Sequence, residues 1–193
     1  MRETIVDRAY AKTLLPPRKE DGHKGDFGKL LVLGGSVGYT GAPYLAASAA
    51  VHSGCGLVYL GVPESIWAVE AQKCVSAMPF PLPETDGRLC LAALDKMQDK
   101  LKGCDVLALG PGLGRGKETE QLVHALLWQV KEPLVLDADG INALAGHIDT
   151  LSCRRGCVTV LTPHDGELAR IGGDMTAPRE AAAAAFAADH GVY

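Results

Sequence analysis

Apolar runs of strand length recur along the chain, and segments with a helical pattern separate them. The runs are continuously apolar rather than alternating, as expected for parallel strands that are covered on both faces. The predicted strands are Lys29 to Leu33, Leu57 to Gly61, Val106 to Leu109, Leu134 to Leu136 and Val158 to Leu161. This alternation predicts an α/β fold in which right-handed helical crossovers join parallel strands.

Two segments between these runs and one after the last run have helical character. Residues 40–53 are rich in alanine, which allows close approach to a sheet, and the run Ala181 to Ala185 consists of a strong helix former. The segment from Glu118 to Val130 has one apolar stripe at helical spacing, formed by Leu122, Val123, Leu126, Leu127 and Val130. Met78 to Pro83 is instead predicted to be a loop, because proline cannot serve a central strand.

Size and charge narrow the class of ligand. The 193 residues are 47% hydrophobic, which suffices for one domain with a real core. A net charge of −4 gives no reason to expect nucleic acid or an anionic membrane as partner, so a small molecule is favoured. The N-terminus shows no secretory pattern, and no apolar run is long enough to span a membrane, so a cytoplasmic protein is expected.

The six cysteines carry no recognisable metal or redox spacing. Most are expected to be small buried hydrophobic residues. Cys153 and Cys157 would meet on a helix, but Gly156 lies between them and a strand is predicted to begin at Cys157, so a functional pair is disfavoured.

Two glycine-rich segments follow predicted strands, where ligands bind in open parallel sheets. GGSVGYTGA, residues 34–42, brings backbone amides to the start of a helix, but it matches neither a P-loop nor the dinucleotide fingerprint. GPGLGRG, residues 110–116, is a stiff loop that suits a phosphate. Tight turns would explain both segments as well. Gly35 and Gly114 are therefore candidate phosphate or loop contacts.

Two further strand ends carry polar side chains. In LDADGIN, period two should place Asp137 and Asp139 on one face, where they could hold magnesium through water or bind a hydroxyl, unless one of them caps a helix. In TPHDGE, Thr162, Pro163 and Asp165 form a helix-start signature. His164 is not explained by that signature, so it is predicted to hydrogen-bond a ligand or to transfer a proton.

Lys29 ends HKGDFGK, a segment with two lysines that precedes the first strand. Its side chain is expected at the amino end of that strand. Three roles therefore stay open for Lys29: a solvated surface residue, a contact within an oligomer, or a phosphate contact.

Four segments in the same order give the chain a family resemblance over roughly residues 20–190. They are HKGDFGKLLVLGGSVGYTGAPYLAASAAVHSGCGLV, DVLALGPGLG, PLVLDADGINAL and VLTPHDGELARI. Together they resemble the ADP/ATP-dependent NAD(P)H-hydrate dehydratases, carbohydrate-kinase-like members of the ribokinase-like superfamily. The resemblance implies a single ribokinase-like domain over residues 1–193. It would be a three-layer α/β/α domain with a mostly parallel central sheet, and its C-terminal part is expected to be missing.

The resemblance also implies an activity and a set of contacts. Family members repair hydrated NADH and NADPH by phosphorylating the ring hydroxyl with ADP or ATP and then eliminating phosphate, and Mg²⁺ is expected because charge must be neutralised. No dedicated metal-ligand cage is visible in the sequence. Residues that match substrate contacts or the pocket wall, with two neighbours in the same motif, are Ala42, Gly112, His164, Asp139, Asn142, Tyr39 and Gly41. A homo-oligomer, often a tetramer, is expected.

The sequence departs from the family in one respect. The G-G-x-G-D motif, whose aspartate is the family's catalytic base, is absent, so that aspartate is expected beyond Tyr193 and these residues alone are expected to be inactive. No N-terminal epimerase domain is expected, because too few residues precede His23.

Two alternative functions remain. One is a kinase of the same fold acting on a vitamin precursor or a sugar, and the other is a non-catalytic dinucleotide-binding module.

Overall fold

The structure is a computed structural model that describes residues 5–15, 17–18 and 20–193. The beginning of the N-terminal stretch, residues 1–4, and residues 16 and 19 lie outside this description. Its strands are β1 (Lys29–Leu33), β2 (Leu57–Pro63), β3 (Met78–Leu82), β4 (Glu84–Thr85), β5 (Arg88–Leu89), β6 (Val106–Leu109), β7 (Leu134–Leu136) and β8 (Thr159–Leu161). Six of them form one parallel sheet in the order β3-β2-β1-β6-β7-β8.

Helices cover both faces of this sheet. They are α1 (Arg8–Leu14), α2 (Gly41–His52), α3 (Glu64–Lys73), α4 (Ala93–Lys96), α5 (Gln98–Gly103), α6 (Lys117–Gln129), α7 (Asp139–Asn142), α8 (Asp165–Arg170) and α9 (Arg179–His190). Short segments of the tighter 3-10 helix occupy Lys24–Phe27 and Ile148–Arg154. No described helix has both the length and the apolar character needed to cross a membrane.

Successive residues of β1 point into two different cores, as the period of a strand requires. Leu31 and Leu33 are fully buried in the core that α6 covers. Val32 is equally buried on the other face, against Ala47 of α2 and Ile66 of α3. The expected three-layer α/β/α architecture is therefore confirmed.

The strand predictions were close for the middle of the sheet. β1, β6 and β7 have the predicted bounds, whereas β2 continues to Pro63 and β8 begins one residue late, at Thr159. Tyr193 exchanges two backbone hydrogen bonds of 2.8 Å with Thr159 and Leu161 of β8. The predicted strands are apolar and lie between the helices that cover the sheet, and the hydrophobic pattern detects this feature.

The prediction of a loop over Met78 to Pro83 was wrong. Residues Met78–Leu82 form β3, which pairs with β2 in parallel and stands at the edge of the sheet. Proline is excluded only from central strands. Because Pro79 and Pro81 are two residues apart, both can turn the nitrogen that lacks a hydrogen toward the open edge, and the ladder to β2 is kept.

A short hairpin, not anticipated from the sequence, follows β3. β4 and β5 pair antiparallel across Asp86 and Gly87, whose φ angles are 50° and 71°. Positive φ at both central residues is the mark of a type I′ turn, for which Asp-Gly is a favoured sequence. The turn contacts the first glycine-rich segment, since the Val37 amide donates to the Gly87 carbonyl at 2.9 Å. The hairpin thus reaches the carboxyl edge of the central sheet.

All six cysteines are free. Cys90 and Cys104 are buried, as expected for small hydrophobic side chains. The other four cysteines are half-buried and meet this expectation only in part. Burial raises the pKa of the Cys104 thiol to about 11, which keeps it neutral and unreactive at ordinary pH.

Candidate functional site

The segments that follow β1, β6, β7 and β8 meet at one edge of the sheet, the one formed by the carboxyl ends of its strands. They meet there because these four strands are neighbours in that order. Backbone hydrogen bonds join the first two segments directly. The Gly35 amide donates to the Pro111 carbonyl at 2.9 Å, and the Gly110 amide donates to the Leu33 carbonyl at 3.1 Å. The two glycine-rich segments therefore form one continuous surface.

Glycine is required where these segments touch. Gly112 has a φ of 68°, and a Cβ there would lie 3.0 Å from the Tyr39 carbonyl oxygen and 3.2 Å from the Ala42 Cβ. A side chain would therefore separate the two segments. The structure thus places Tyr39, Ala42 and Gly112 together, as expected if they contact a common ligand. Gly41, the first residue of α2, is exposed beside them, with open space where a Cβ would stand.

The two aspartates do not share a face as predicted. Between them Ala138 has a φ of 49°, so the extended alternation ends with β7 and α7 begins at Asp139. Asp137 accepts a hydrogen bond of 2.6 Å from the Thr162 hydroxyl. Asp139 Oδ2 accepts from the Gly114 amide at 2.9 Å. Each aspartate therefore holds a different loop.

The other carboxylate oxygen of Asp139, Oδ1, also has partners within the protein. Asn142 Nδ2 donates to Oδ1 at 3.0 Å, and Arg115 Nε stands 3.7 Å away. Asn142 in turn accepts a hydrogen bond from Arg170 of α8. This chain of contacts connects the segments after β6, β7 and β8.

Replacing Asp139 by alanine should release the loop of residues 110–116. The Gly114 amide would lose its acceptor, and a lost hydrogen bond to a charged group costs about 1.5–3 kcal/mol. We expect faster hydrogen exchange in residues 110–116, measured by mass spectrometry, and a lower free energy of unfolding. Asp149→Ala removes an exposed carboxylate in the 3-10 helix Ile148–Arg154 and serves as control. Equal exchange in the two variants would show that Asp139 does not hold the loop.

His164 has a structural role that the sequence analysis did not assign to it. It is the N-cap of α8, and its Nδ1 accepts from the Gly166 amide at 3.0 Å and from the Glu167 amide at 3.4 Å. Glu167 returns the bond by accepting from the His164 amide at 3.0 Å, which completes a capping box. The other ring nitrogen, Nε2, lies 3.4 Å from Glu167 Oε1, and the side chain is 68% exposed. The exposed part of the ring can therefore still contact a ligand.

Two of the candidate phosphate contacts do not fit that role. Gly35 is buried, and its amide already donates to Pro111, so it is a contact between loops. Lys29 begins β1 at the opposite end of the sheet, where its amide donates to Asp105 Oδ2 at 2.8 Å. Gly114 does lie at the site, although its amide is held by Asp139.

A cavity of about 460 Å³ opens between the hairpin and the glycine-rich segments. Its lining is Ser36, Val37, Tyr39, Arg88, Gly114, Arg115 and Asp139. The sequence alone did not point to Arg88, because it lies on β5, away from the carboxyl ends of the predicted strands. The Asp-Gly turn next to it was the signal that could have found it.

The described residues do not form a magnesium cage. They contain no group of three or more His, Cys, Asp or Glu side chains that could hold a metal ion. Both carboxylate oxygens of Asp139 already accept hydrogen bonds from the protein. The carboxylates at this end of the sheet join loops, so magnesium binding, one of the roles left open for Asp137 and Asp139, does not fit their geometry.

Comparison with known proteins agrees with the motifs. Residues 30–191 match the Carb_kinase family, described as NAD(P)H-hydrate dehydratase. A bifunctional NAD(P)H-hydrate repair enzyme of Moorella thermoacetica is 45% identical over 90% of this chain and 33% of that protein. An ADP-dependent (S)-NAD(P)H-hydrate dehydratase of Neisseria meningitidis is 37% identical over 85% of this chain and 52% of that protein. The chain thus spans between a third and about half of these relatives.

Solved structures show the same fold. The ADP/ATP-dependent NAD(P)H-hydrate dehydratase of Bacillus subtilis, co-crystallised with ATP/Mg²⁺, superimposes with a TM-score of 0.71 at 27% identity, covering 95% of this chain and 62% of that one. A protein of Streptococcus mutans gives a TM-score of 0.76 at 29% identity, covering 96% and 64%. Family match, relatives and fold agree, and the chain belongs to the Carb_kinase family of NAD(P)H-hydrate dehydratases.

Proposed function

We propose that this edge of the sheet binds hydrated NADH or NADPH for repair by nucleotide-dependent dehydration. The observation that carries the proposal is the close approach of Gly112 to Tyr39 and Ala42, which joins two motif segments into one surface. Asp139, Asn142 and His164 follow β7 and β8 at the same end of the sheet. Asn142 donates to Asp139 and accepts from Arg170, which belongs to α8, the helix that His164 caps. The names and identities of the relatives support the same substrate class.

The reaction sets what this surface must do. The ring hydroxyl of the hydrate receives a phosphoryl group from ADP or ATP, and loss of phosphate together with a ring proton then restores the double bond. Such chemistry depends mainly on positioning and on stabilising charge. In the proposal, Tyr39, Gly41, Ala42 and Gly112 hold the dinucleotide, and Asp139, Asn142 and His164 border the pocket. Mg²⁺ is assigned to the phosphates of the nucleotide rather than to a cage in this chain.

Ala42→Leu should weaken binding of NADPH hydrate at least about tenfold, because the larger side chain would fill the space next to Gly112. Isothermal titration with NADPH hydrate measures the change. Ala49→Leu is the matched control, since Ala49 is an exposed alanine of the same helix, α2. The proposal loses its main support if the two variants bind equally well.

The 193 residues contain no G-G-x-G-D segment, to which the resemblance assigns the base and the anion hole. We therefore propose that these residues bind the hydrate but do not convert it. Incubation with NADPH hydrate and ADP or ATP should produce no reduced-nicotinamide absorbance. Conversion by the mass-verified 193-residue chain would contradict this part of the proposal.

A small-molecule kinase is the nearest alternative, and the fold alone does not separate the two activities. The combination of GYTGA and TPHDGE favours the hydrate. Titration with hydroxymethylpyrimidine, thiazole alcohol and sugars beside NADPH hydrate distinguishes them, since only the hydrate should bind.

The proposal further includes a cytoplasmic homo-oligomer that needs neither nucleic acid nor membrane, in keeping with a net charge of −4.

A further inference from the structure

Arg88 is a half-buried cation beside the glycine-rich loops. Its backbone is fixed on both sides, by pairing with Thr85 in the hairpin and by a bridge to Ser36. The side chain then runs along residues 114–116. A Cβ on Gly114 would lie 2.9 Å from Arg88 Cδ, and one on Gly116 would lie 3.2 Å from Arg88 Nε. Small residues there leave room for the arginine stem and bring the guanidinium to the cavity wall.

No carboxylate of the described residues forms an ion pair with Arg88. An arginine that serves only packing usually extends its charged end into water and buries its stem. Arg88 instead contributes to the lining of the 460 Å³ cavity. Arg88 is therefore a cation without a carboxylate partner among the described residues, at a cavity that a ligand can enter.

Arg115 adds a second guanidinium to the same cavity. Its side chain is 60% exposed, and its Nε lies 3.7 Å from Asp139 Oδ1, which is longer than a hydrogen bond. Both carboxylate oxygens of Asp139 already accept hydrogen bonds, from Gly114 and from Asn142. The cavity is therefore lined by two cations and by one carboxylate that the protein itself satisfies, and this balance favours an anionic ligand.

The shape of the charged groups indicates which anion. A guanidinium binds phosphate oxygens with two parallel hydrogen bonds, and two arginines that line one cavity suit two linked phosphates. Tyr39, which lines the same cavity, belongs to the motif that binds the dinucleotide in the proposed function. A nucleotide diphosphate carries the negative charge that this pair of arginines favours.

We propose that Arg88 and Arg115 bind the diphosphate group of a nucleotide in this cavity. The inference rests on the proposed function for the identity of the nucleotide, since both the hydrated dinucleotide and ADP carry this group. The charge arrangement alone predicts that inorganic diphosphate also binds.

The test is calorimetric titration of the 193-residue chain and its variants with NADPH hydrate, ADP and inorganic diphosphate. Arg88→Gln and Arg115→Gln should each raise the Kd of the diphosphate-bearing ligand about tenfold or more, and the Kd should also rise with salt concentration. Arg155→Gln is the control, because Arg155 is an exposed arginine before β8, at the other end of the sheet, and should leave every Kd unchanged. Circular dichroism establishes that each variant is folded. Arg115 keeps the test valid if the Arg88 variant does not fold.

The three ligands separate the outcomes. Weaker binding of NADPH hydrate but not of ADP assigns the site to the dinucleotide, and weaker binding of ADP but not of NADPH hydrate assigns it to the phosphoryl donor. Either result supports the diphosphate site when inorganic diphosphate also binds more weakly to the arginine variants. If the chain binds NADPH hydrate and both arginine variants bind all ligands as well as the control does, the inference is wrong and the proposed function stands. If the chain binds diphosphate through the arginines but does not bind NADPH hydrate, the proposed function is wrong and the anion site stands.

Discussion

Replacing Gly110 by alanine should lower the free energy of unfolding by more than about 3 kcal/mol, because two costs add at one position. Gly110 has a φ of 129°, which side chains rarely adopt. A Cβ there would also stand 1.8 Å from the Asp137 carbonyl oxygen and 2.9 Å from the Gly140 nitrogen. Both neighbours are backbone, so the loops after β6 and β7 would have to move apart. Urea denaturation followed by circular dichroism measures the loss.

Gly146→Ala is the matched control for this substitution. Gly146 also has a positive φ, of 76°, but no heavy atom lies within 4 Å of the position of its Cβ. Only the backbone cost applies, about 1 kcal/mol. Similar losses in the two variants would mean that the close approach at Gly110 has no energetic weight.

Arg154→Met should be similarly severe, at about 3–5 kcal/mol, because it leaves several buried acceptors without a donor at a cost of about 1–3 kcal/mol each. The Arg154 side chain is 1% exposed, and its guanidinium donates to the Thr159 hydroxyl at 2.8 Å and to the Glu132 carbonyl at 2.8 Å. It also donates to the Val130 carbonyl. Burial lowers the pKa of this group, but arginine stays charged in proteins, so the acceptors satisfy a buried cation. Methionine keeps much of the volume and leaves these acceptors without a donor.

The adjacent arginine provides the comparison. Arg155 is exposed and makes one hydrogen bond of 3.2 Å, to the Asp189 carbonyl. Arg155→Met should change the free energy of unfolding by less than about 0.5 kcal/mol. Thermal and urea unfolding of both variants tests the contrast, and a stable Arg154→Met variant would show that the buried network contributes little.

Hydrophobic pattern was sufficient to predict the centre of the fold. β1, β6 and β7 are buried or half-buried at every residue, so their continuous apolar composition alone distinguishes them from neighbouring segments. β3 was missed because its prolines obscure that signal, and only its position at the edge makes them acceptable. The hairpin of β4 and β5 was missed because strands of two residues carry no periodicity.

The site was predictable in location but less so in the role of each residue. The strand ends identified the two glycine-rich loops, and the family resemblance named Tyr39, Ala42 and Gly112 within them, which the fold brings together. The aspartate roles depend on the positive φ of Ala138, which nothing in the residue type announces. His164 was separated from the helix-start signature because histidine is an unusual N-cap, and Arg88 reaches the site only through the hairpin.

Site-resolved hydrogen exchange with and without NADPH hydrate tests the central claim most directly. If this edge of the sheet binds the hydrate, protection should appear in residues 35–42, 110–116, 137–142 and 162–168, and the helix over residues 179–190 should exchange as before. Protection confined to other segments, or none at a saturating concentration of hydrate, would contradict the account.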